Sequence, residues 1–135
     1  MDVYNLHMDA GDAEDDQLAR SEQVDQLIER ILDYSDGRAV IVAGDTNLNI
    51  DRELDEIALQ RLMAETGLQD VCRYLECGVE SIDRILFRSG AGIDIAPISW
   101  WIPEEFVDDN GDDLSDHKPV AAEFEWETAR ASSIR

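Results

Sequence analysis

Lysine is almost missing from this chain. Lys118 is the only one, and the other ten basic residues are arginines. Set against 32 acidic residues, they leave a net charge of −21. A surface this negative repels nucleic acid at low salt, because affinity for a phosphate backbone comes from Lys and Arg. The acid is spread along the whole chain and not confined to one segment. Such a distribution fits a halophilic protein, whose self-repulsion is screened by salt, and it also fits an acidic surface for a cationic partner.

Other absences narrow the class further. No apolar run approaches the roughly 20 residues of a membrane span. The N-terminus lacks a basic segment followed by an apolar one, so no signal peptide is visible and a cytoplasmic location is expected, with export possible if a signal lies upstream. Only two cysteines occur, Cys72 and Cys77. Their spacing is not a CxxC knuckle, no His or Cys completes a zinc site, and reduced, partly buried thiols are expected ahead of a local disulfide. There is no internal repeat and no low-complexity block.

What is present is ample for a core. Hydrophobic residues make up 44% of 135 residues, which suits one globular domain. Residues 2–8 carry β-formers and read as a strand ending near His7. Residues 10–16 read as an acidic loop. From Gln17 to Tyr34 the apolar residues Leu18, Val24, Leu27, Ile28, Ile31 and Leu32 recur at three and four, so a helix is expected, capped near Gly37. AVIVAG at 39–44 is a short apolar run of the kind buried on both faces of a sheet. A second helix is expected over 53–66, with Leu54, Ile57, Ala58, Leu62 and Met63 on one face and Gly67 stopping it. Residues 68–81 read as irregular. Strands are expected at 82–89, at 92–102 with Pro97 marking an edge or bulge, and at 119–126 with Val120, Ala122, Phe124 and Trp126 on one face. A long polar loop fills 103–118. The domain therefore spans 1–127, with 128–135 a flexible tail. The fold class is mixed α/β (α+β), with helices covering a sheet.

Four short segments gather polar chemistry at strand ends or beside them: NLH at 5–7, GDTN at 44–47, SIDRIL at 81–86 and SDHKPV at 115–120. Each alone also reads as a turn or as a satisfied polar group. In this order they resemble the signature of the endonuclease/exonuclease/phosphatase superfamily, the DNase I-like fold: a histidine after an Asn-x pair, a GDxN motif, an I-D-x-I strand and an S-D-H before a hydrophobic strand. The resemblance runs from Val3 to Trp126. It implies a metal-dependent phosphoester hydrolase using Mg2+ or Mn2+, acting on nucleic acid, a phospholipid or a small phosphodiester.

The chemistry fits those residue types. Phosphodiester hydrolysis needs a hard cation for the phosphoryl charge, a base for the attacking water and help for the leaving oxygen. The resemblance implies that Asp45 lies near the attacking water, as base or metal-linked group. By the same resemblance Asn47 donates to the transition-state phosphate and Asp116 is a metal ligand. His117 contacts the scissile phosphate, Asp83 orients His117, and His7 contacts phosphate or assists the leaving group. Which of Asp45 and His117 acts as base stays open. Trp100 and Trp101 either pack or form a substrate lip.

A full member of that superfamily is about twice as long and forms a four-layer α/β/β/α sandwich. This chain resembles its C-terminal half: one mixed sheet with helices on one face. The first half, with its asparagine and a glutamate ligand, has no counterpart ahead of His7. Weak magnesium binding and an exposed apolar sheet face are therefore expected, the face being covered by a missing N-terminal half or a second copy. The competing reading is an interaction module that keeps the fold without catalysis. A third is an acidic binder of cationic partners, which rests on charge alone.

Overall fold

A computed structural model describes residues 1–128; residues 129–135, and with them nearly all of the expected tail, lie outside the described residues. Thr128 itself still belongs to the last strand. The chain begins with β1 (Asp2–His7), α1 (Glu14–Tyr34), β2 (Val40–Asp45) and α2 (Glu53–Thr66). It continues through β3 (Gln69–Asp70), α3 (Val71–Tyr74), β4 (Asp83–Arg88), β5 (Ile93–Trp101) and β6 (Ala121–Thr128).

Four strands form a mixed sheet in the order β1-β2-β4-β3. β1 and β2 are parallel, with α1 as the crossover; β4 runs antiparallel to β2. Alternation divides the two faces. Val40, Val42 and Leu86 point to the side where α1 and α2 pack, and they join Val24, Ile28, Ile31, Leu59 and Leu62 in the larger core. Ile41, Ile85 and Phe87 point to the opposite side.

The helices differ from the sequence reading at their ends and on their faces. α1 starts at Glu14, three residues early. Its first turn is Glu14, Asp15 and Asp16, and acidic groups stabilise the positive N-terminal end of a helix. Ala13 has no side chain able to cap, so Asp16 reaches back to accept from its amide at 3.0 Å. The helix closes on Ser35 and not at Gly37. Around α1 the buried stripe is Arg20, Val24, Ile28 and Ile31, while Leu18 and Leu32 are exposed. α2 ends as expected: Gly67 is left-handed at φ 73° and donates its amide to Met63 O. Its buried stripe is Asp55, Ala58, Leu59, Leu62 and Thr66, with Ile57 exposed.

The stretch 68–81 is not irregular throughout. Gln69 and Asp70 pair with Phe87 and Leu86 of β4, and Asp70 then caps α3 by accepting from the Arg73 amide. Cys72 and Cys77 are joined in a disulfide, contrary to the expectation of free thiols. The chain turns back after α3 at Glu76 (φ 54°), and the Cys77 amide reaches Cys72 O at 2.9 Å, which brings the two Cα atoms to 5.1 Å, within disulfide reach.

One mixed sheet was expected, and the last two strands depart from it. β5 and β6 form a separate antiparallel pair, with the register broken between Pro97 and Ser99. This pair lies on the sheet face the helices leave open: Ile95, Ala122, Phe124 and Trp100 pack against Ile41, Ile85 and Phe87. Phe87 and Phe124 meet edge to face at 5.8 Å. Beyond them the cover is incomplete. An apolar hollow of about 270 Å³ opens between Met1, Ile41, Ile93, Phe124 and Trp126, and Trp126 is 66% exposed. Among the described residues no helix is long and apolar enough to cross a membrane.

Candidate active site

Strand pairing alone assembles most of the site. His7 is the register partner of Asp45 across β1 and β2, and Asp45 is the partner of Asp83 across β2 and β4. Three polar residues far apart in sequence therefore stand in one row across neighbouring strands. β1 and β2 contribute their C-terminal ends; β4, being antiparallel, contributes its first residue. All three side chains lie on the face opposite the helices, which stays polar at this rim.

His117 arrives from the 103–120 connection and lands on this row. Its Nδ1 is 2.9 Å from Asp83 Oδ2 and 3.7 Å from Asp45 Oδ2. From the far side, His7 Nε2 is 3.5 Å from the same Asp45 oxygen. The carboxylates are the better shielded groups, at 14% exposure for Asp45 and 18% for Asp83, against 40% for His117 and 74% for His7. The Asp83 hydrogen bond raises the His117 pKa above 6.5, and the charges of Asp83, Asp45 and Asp116 add to it while partial burial opposes.

Local backbone fixes the row. Gly44 has φ 141°, and a Cβ there would overlap the Leu6 carbonyl oxygen, so the glycine of GDTN is a steric necessity of the β1–β2 approach. Thr46 is buried; its amide and its hydroxyl both donate to Ile82 O, at 2.9 and 2.7 Å. That double bond ties the end of β2 to the residue before Asp83. Asn47 adopts a left-handed φ of 51°, its amide donates to Asp45 Oδ1 at 2.8 Å, and its side-chain Nδ2 donates to Met8 O at 3.1 Å.

His7, Asp45, Asn47, Asp83 and His117 are thus brought together. Asp116 is exposed next to His117, accepts a long contact from the Ser115 hydroxyl, and lines a cleft of about 290 Å³ with Asp83, His117, Trp100 and Ile102. Trp100 forms part of the cleft wall as well as of the core, whereas Trp101 is exposed and lies off the cleft. Asn5 only touches Ala43 O at 3.5 Å. Sequence reasoning missed Thr46, and it missed Arg20 and Asp55 behind the site. Those two had a readable signal: each is a charge on the buried stripe of its helix, one positive and one negative.

The carboxylates of this cluster suit a hard divalent cation, whereas an imidazole does not. Asp45, Asp83 and His117 each place a ligand atom within 4.8 Å of the others. Magnesium is usually bound by one or two carboxylates plus water and substrate phosphate. His117 Nδ1 is engaged by Asp83, so the imidazole orients on a carboxylate and its Nε2 faces outward. Asp45, facing both imidazoles, is the carboxylate shared by every arrangement.

This architecture is that of an endonuclease/exonuclease/phosphatase-type fold, which the chain carries in part. A structure of humanized D. rerio TDP2 superposes with a TM-score of 0.68 at 24% identity, over 91% of this chain and 51% of the other. D. rerio TDP2 in complex with a single-strand DNA product gives 0.64 at 20% identity, over 91% and 55%. In sequence, proteins named sphingomyelinase from Mycobacterium bovis and Mycobacterium tuberculosis are 30% identical over 142 aligned positions, 93% of this chain. The chain spans 28% of the length of those curated relatives and about half of the solved structures. No family model matches the chain.

Proposed function

We propose that this chain forms the phosphate-facing half of a metal-dependent phosphodiester hydrolase. The observation that carries the reading is the row His7–Asp45–Asp83 with His117 hydrogen-bonded above it. Two carboxylates side by side on adjacent strands, each facing an imidazole in an open cleft, are the kind of constellation that marks functional sites. Relatives named sphingomyelinase and a neighbour holding a single-strand DNA product both point to phosphodiesters, and the substrate class is taken from that common ground.

Asp45, with Asp116 from the segment that carries His117, would hold the divalent cation, Mg2+ or Mn2+. When bound, the ion supplies charge neutralisation at the phosphoryl oxygens. Asp45 orients the attacking water. His117, whose pKa the Asp83 hydrogen bond raises, would donate to a non-bridging phosphoryl oxygen through Nε2. Asn47 would donate its remaining side-chain N–H to a phosphoryl oxygen as negative charge develops there. His7 stands on the other side of Asp45, where it donates to phosphate or to the leaving oxygen. A phospholipid or small phosphodiester suits the acidic surface better than a nucleic acid does at low salt.

A second reading is an interaction module that keeps the fold without catalysis. One assay separates them: hydrolysis of bis-p-nitrophenyl phosphate with Mg2+ or Mn2+, for the wild type, Asp45→Ala and His117→Ala. Turnover that needs metal and drops by about a hundredfold or more in both variants supports the hydrolase. Turnover indifferent to both substitutions rejects the roles of Asp45 and His117.

A further inference from the structure

Behind the site, and away from any substrate, Arg20 and Asp55 form an ion pair with no solvent exposure on either side chain. The pair is bidentate: Nε to Oδ1 at 2.8 Å and Nη2 to Oδ2 at 3.0 Å. What singles it out is the rest of its bonding. Arg20 Nη1 donates to the carbonyls of Asp9 (2.9 Å) and Gly11 (3.0 Å), in the segment that leaves His7. Asp55 Oδ2 accepts from the Asn49 amide at 3.4 Å, in the segment that follows Asn47. The pair therefore grips both loops that flank Asn47. One grip sits next to Met8, whose carbonyl receives the Asn47 side chain; the other sits two residues beyond Asn47 itself.

Stability alone is a poor reason for such a pair. Desolvation offsets most of the attraction between buried charges, and apolar residues of equal volume are often as stable or more so. The donors to Asp9 and Gly11 are different, because no apolar side chain can replace them; Gly11 O has a longer second donor in Arg52 Nη1 at 3.3 Å, whereas Arg20 supplies the bond to Asp9 O. We infer that Arg20, held by Asp55, is a positioning residue: it locks the two loops so that Asn47 keeps its left-handed backbone and aims its amide from a fixed point. The consequence for hydrolysis rests on the role proposed above for Asn47; the locking itself does not.

The test is native-state amide exchange by NMR on the 135-residue chain, following Met8, Asn47 and Asn49 against Val42, Leu62 and Leu86 of the core. Two variants are compared with wild type. Arg20→Lys keeps the charge beside Asp55 but loses the fork. Arg20→Met with Asp55→Leu removes both charges at similar volume. The expected result is loop exchange faster by about tenfold or more beyond any change in the core, with a shifted Asn47 side-chain amide signal. A purely structural role would change loop and core by one common factor, and that outcome overturns the inference.

Wild type gives an independent reading that needs no folded variant. With rising denaturant, Met8 and Asn47 should open together with Leu62, as part of the α1–α2 unit; independent opening at much lower denaturant also overturns it. Loop exchange altered as expected, in a chain that hydrolyses nothing, keeps the clamp and discards the hydrolase.

Discussion

Salt should be the strongest lever on this fold, and the charge fixes how strong. The net charge is −21 on 135 residues. A folded chain of that length has a radius of gyration of about 14 Å, against roughly 38 Å unfolded. Treated as uniformly charged spheres, the folded form carries a self-repulsion on the order of 30 kcal/mol at 0.01 M salt and roughly 7 kcal/mol at 1 M. The expanded chain carries roughly 7 and 1 kcal/mol under the same conditions. Folding is thus opposed by about 24 kcal/mol at low salt and about 6 kcal/mol at high salt, a stabilisation by salt of up to ~18 kcal/mol.

The opposing term is small. Arg38, Arg52, Arg61, Arg73 and Lys118 lie in exposed or half-exposed pairs with Asp2, Asp12, Asp25, Glu80 and Asp113, and screening costs each less than about 1 kcal/mol. Repulsion wins even if the sphere overstates it threefold, which still leaves about 6 kcal/mol, or roughly 15–25 °C in Tm. The assay is thermal melting followed by circular dichroism from about 0.01 to 1 M KCl, a range over which the Debye length falls from roughly 30 to 3 Å. Most of the gain should fall below about 0.3 M, where the Debye length shrinks fastest, and not rise linearly into the molar range as an excluded-salt effect does. A Tm flat across the series would falsify the reading of the acidic surface as a salt adaptation.

Four further outcomes are expected. In metal-free protein the His117 titration midpoint, read by NMR, lies above 6.5 and falls in Asp83→Asn. Because the folded value is raised, the stability that His117 contributes is complete below about 6.5 and is lost as pH climbs through the folded value, so wild type and Asp83→Asn converge in Tm at alkaline pH. Gly44→Ala destabilises by about 3 kcal/mol or more in urea unfolding, since the new Cβ needs the Leu6 carbonyl to move. Leu62→Ala costs about 2–5 kcal/mol in the same assay, as the side chain is wholly buried between helix and sheet. Thiol titration of protein purified without reductant finds Cys72 and Cys77 blocked, and reduction lowers stability by about 2 kcal/mol, the entropy of a short closed loop; free thiols in fresh cell extract would instead favour a reducing compartment.

Local structure was legible where period and punctuation agreed. The continuous apolar run AVIVAG, the apolar residues of IDRILF and the glycine after α2 locate those elements to within a residue or two. Errors cluster where a non-local partner decides. Leu18, Leu32 and Ile57 fit an apolar stripe by spacing, yet the stripe that packs runs through Arg20 and Asp55, because two opposite charges buried together satisfy each other. Gln69 and Asp70 carry no strand pattern and are strand only because β4 offers a free edge. Between the main sheet and β5 the chain turns at Gly90, so close to Arg38 and Ala39 that a Cβ there would overlap their backbone, and no hydrophobic period encodes that crossing.

The candidate site residues were nominated from four motifs and a resemblance, and the grouping of His7, Asp45 and Asp83 follows from strand register. A register of parallel and antiparallel pairs is discrete, so Leu6 facing Gly44 leaves His7 no partner but Asp45, and Ala43 facing Ile85 leaves Asp45 no partner but Asp83. Slipping β2 by one residue would turn Val40 and Val42 out of the helix-side core and drive Asp45 into it. Core packing and site assembly are therefore the same constraint. His117 is not fixed by register; it reaches the row on a long connection and is held by its bond to Asp83. Substitutions along the sheet should consequently move His7, Asp45 and Asp83 together, while substitutions in 103–116 should move Asp116 and His117 without moving that row.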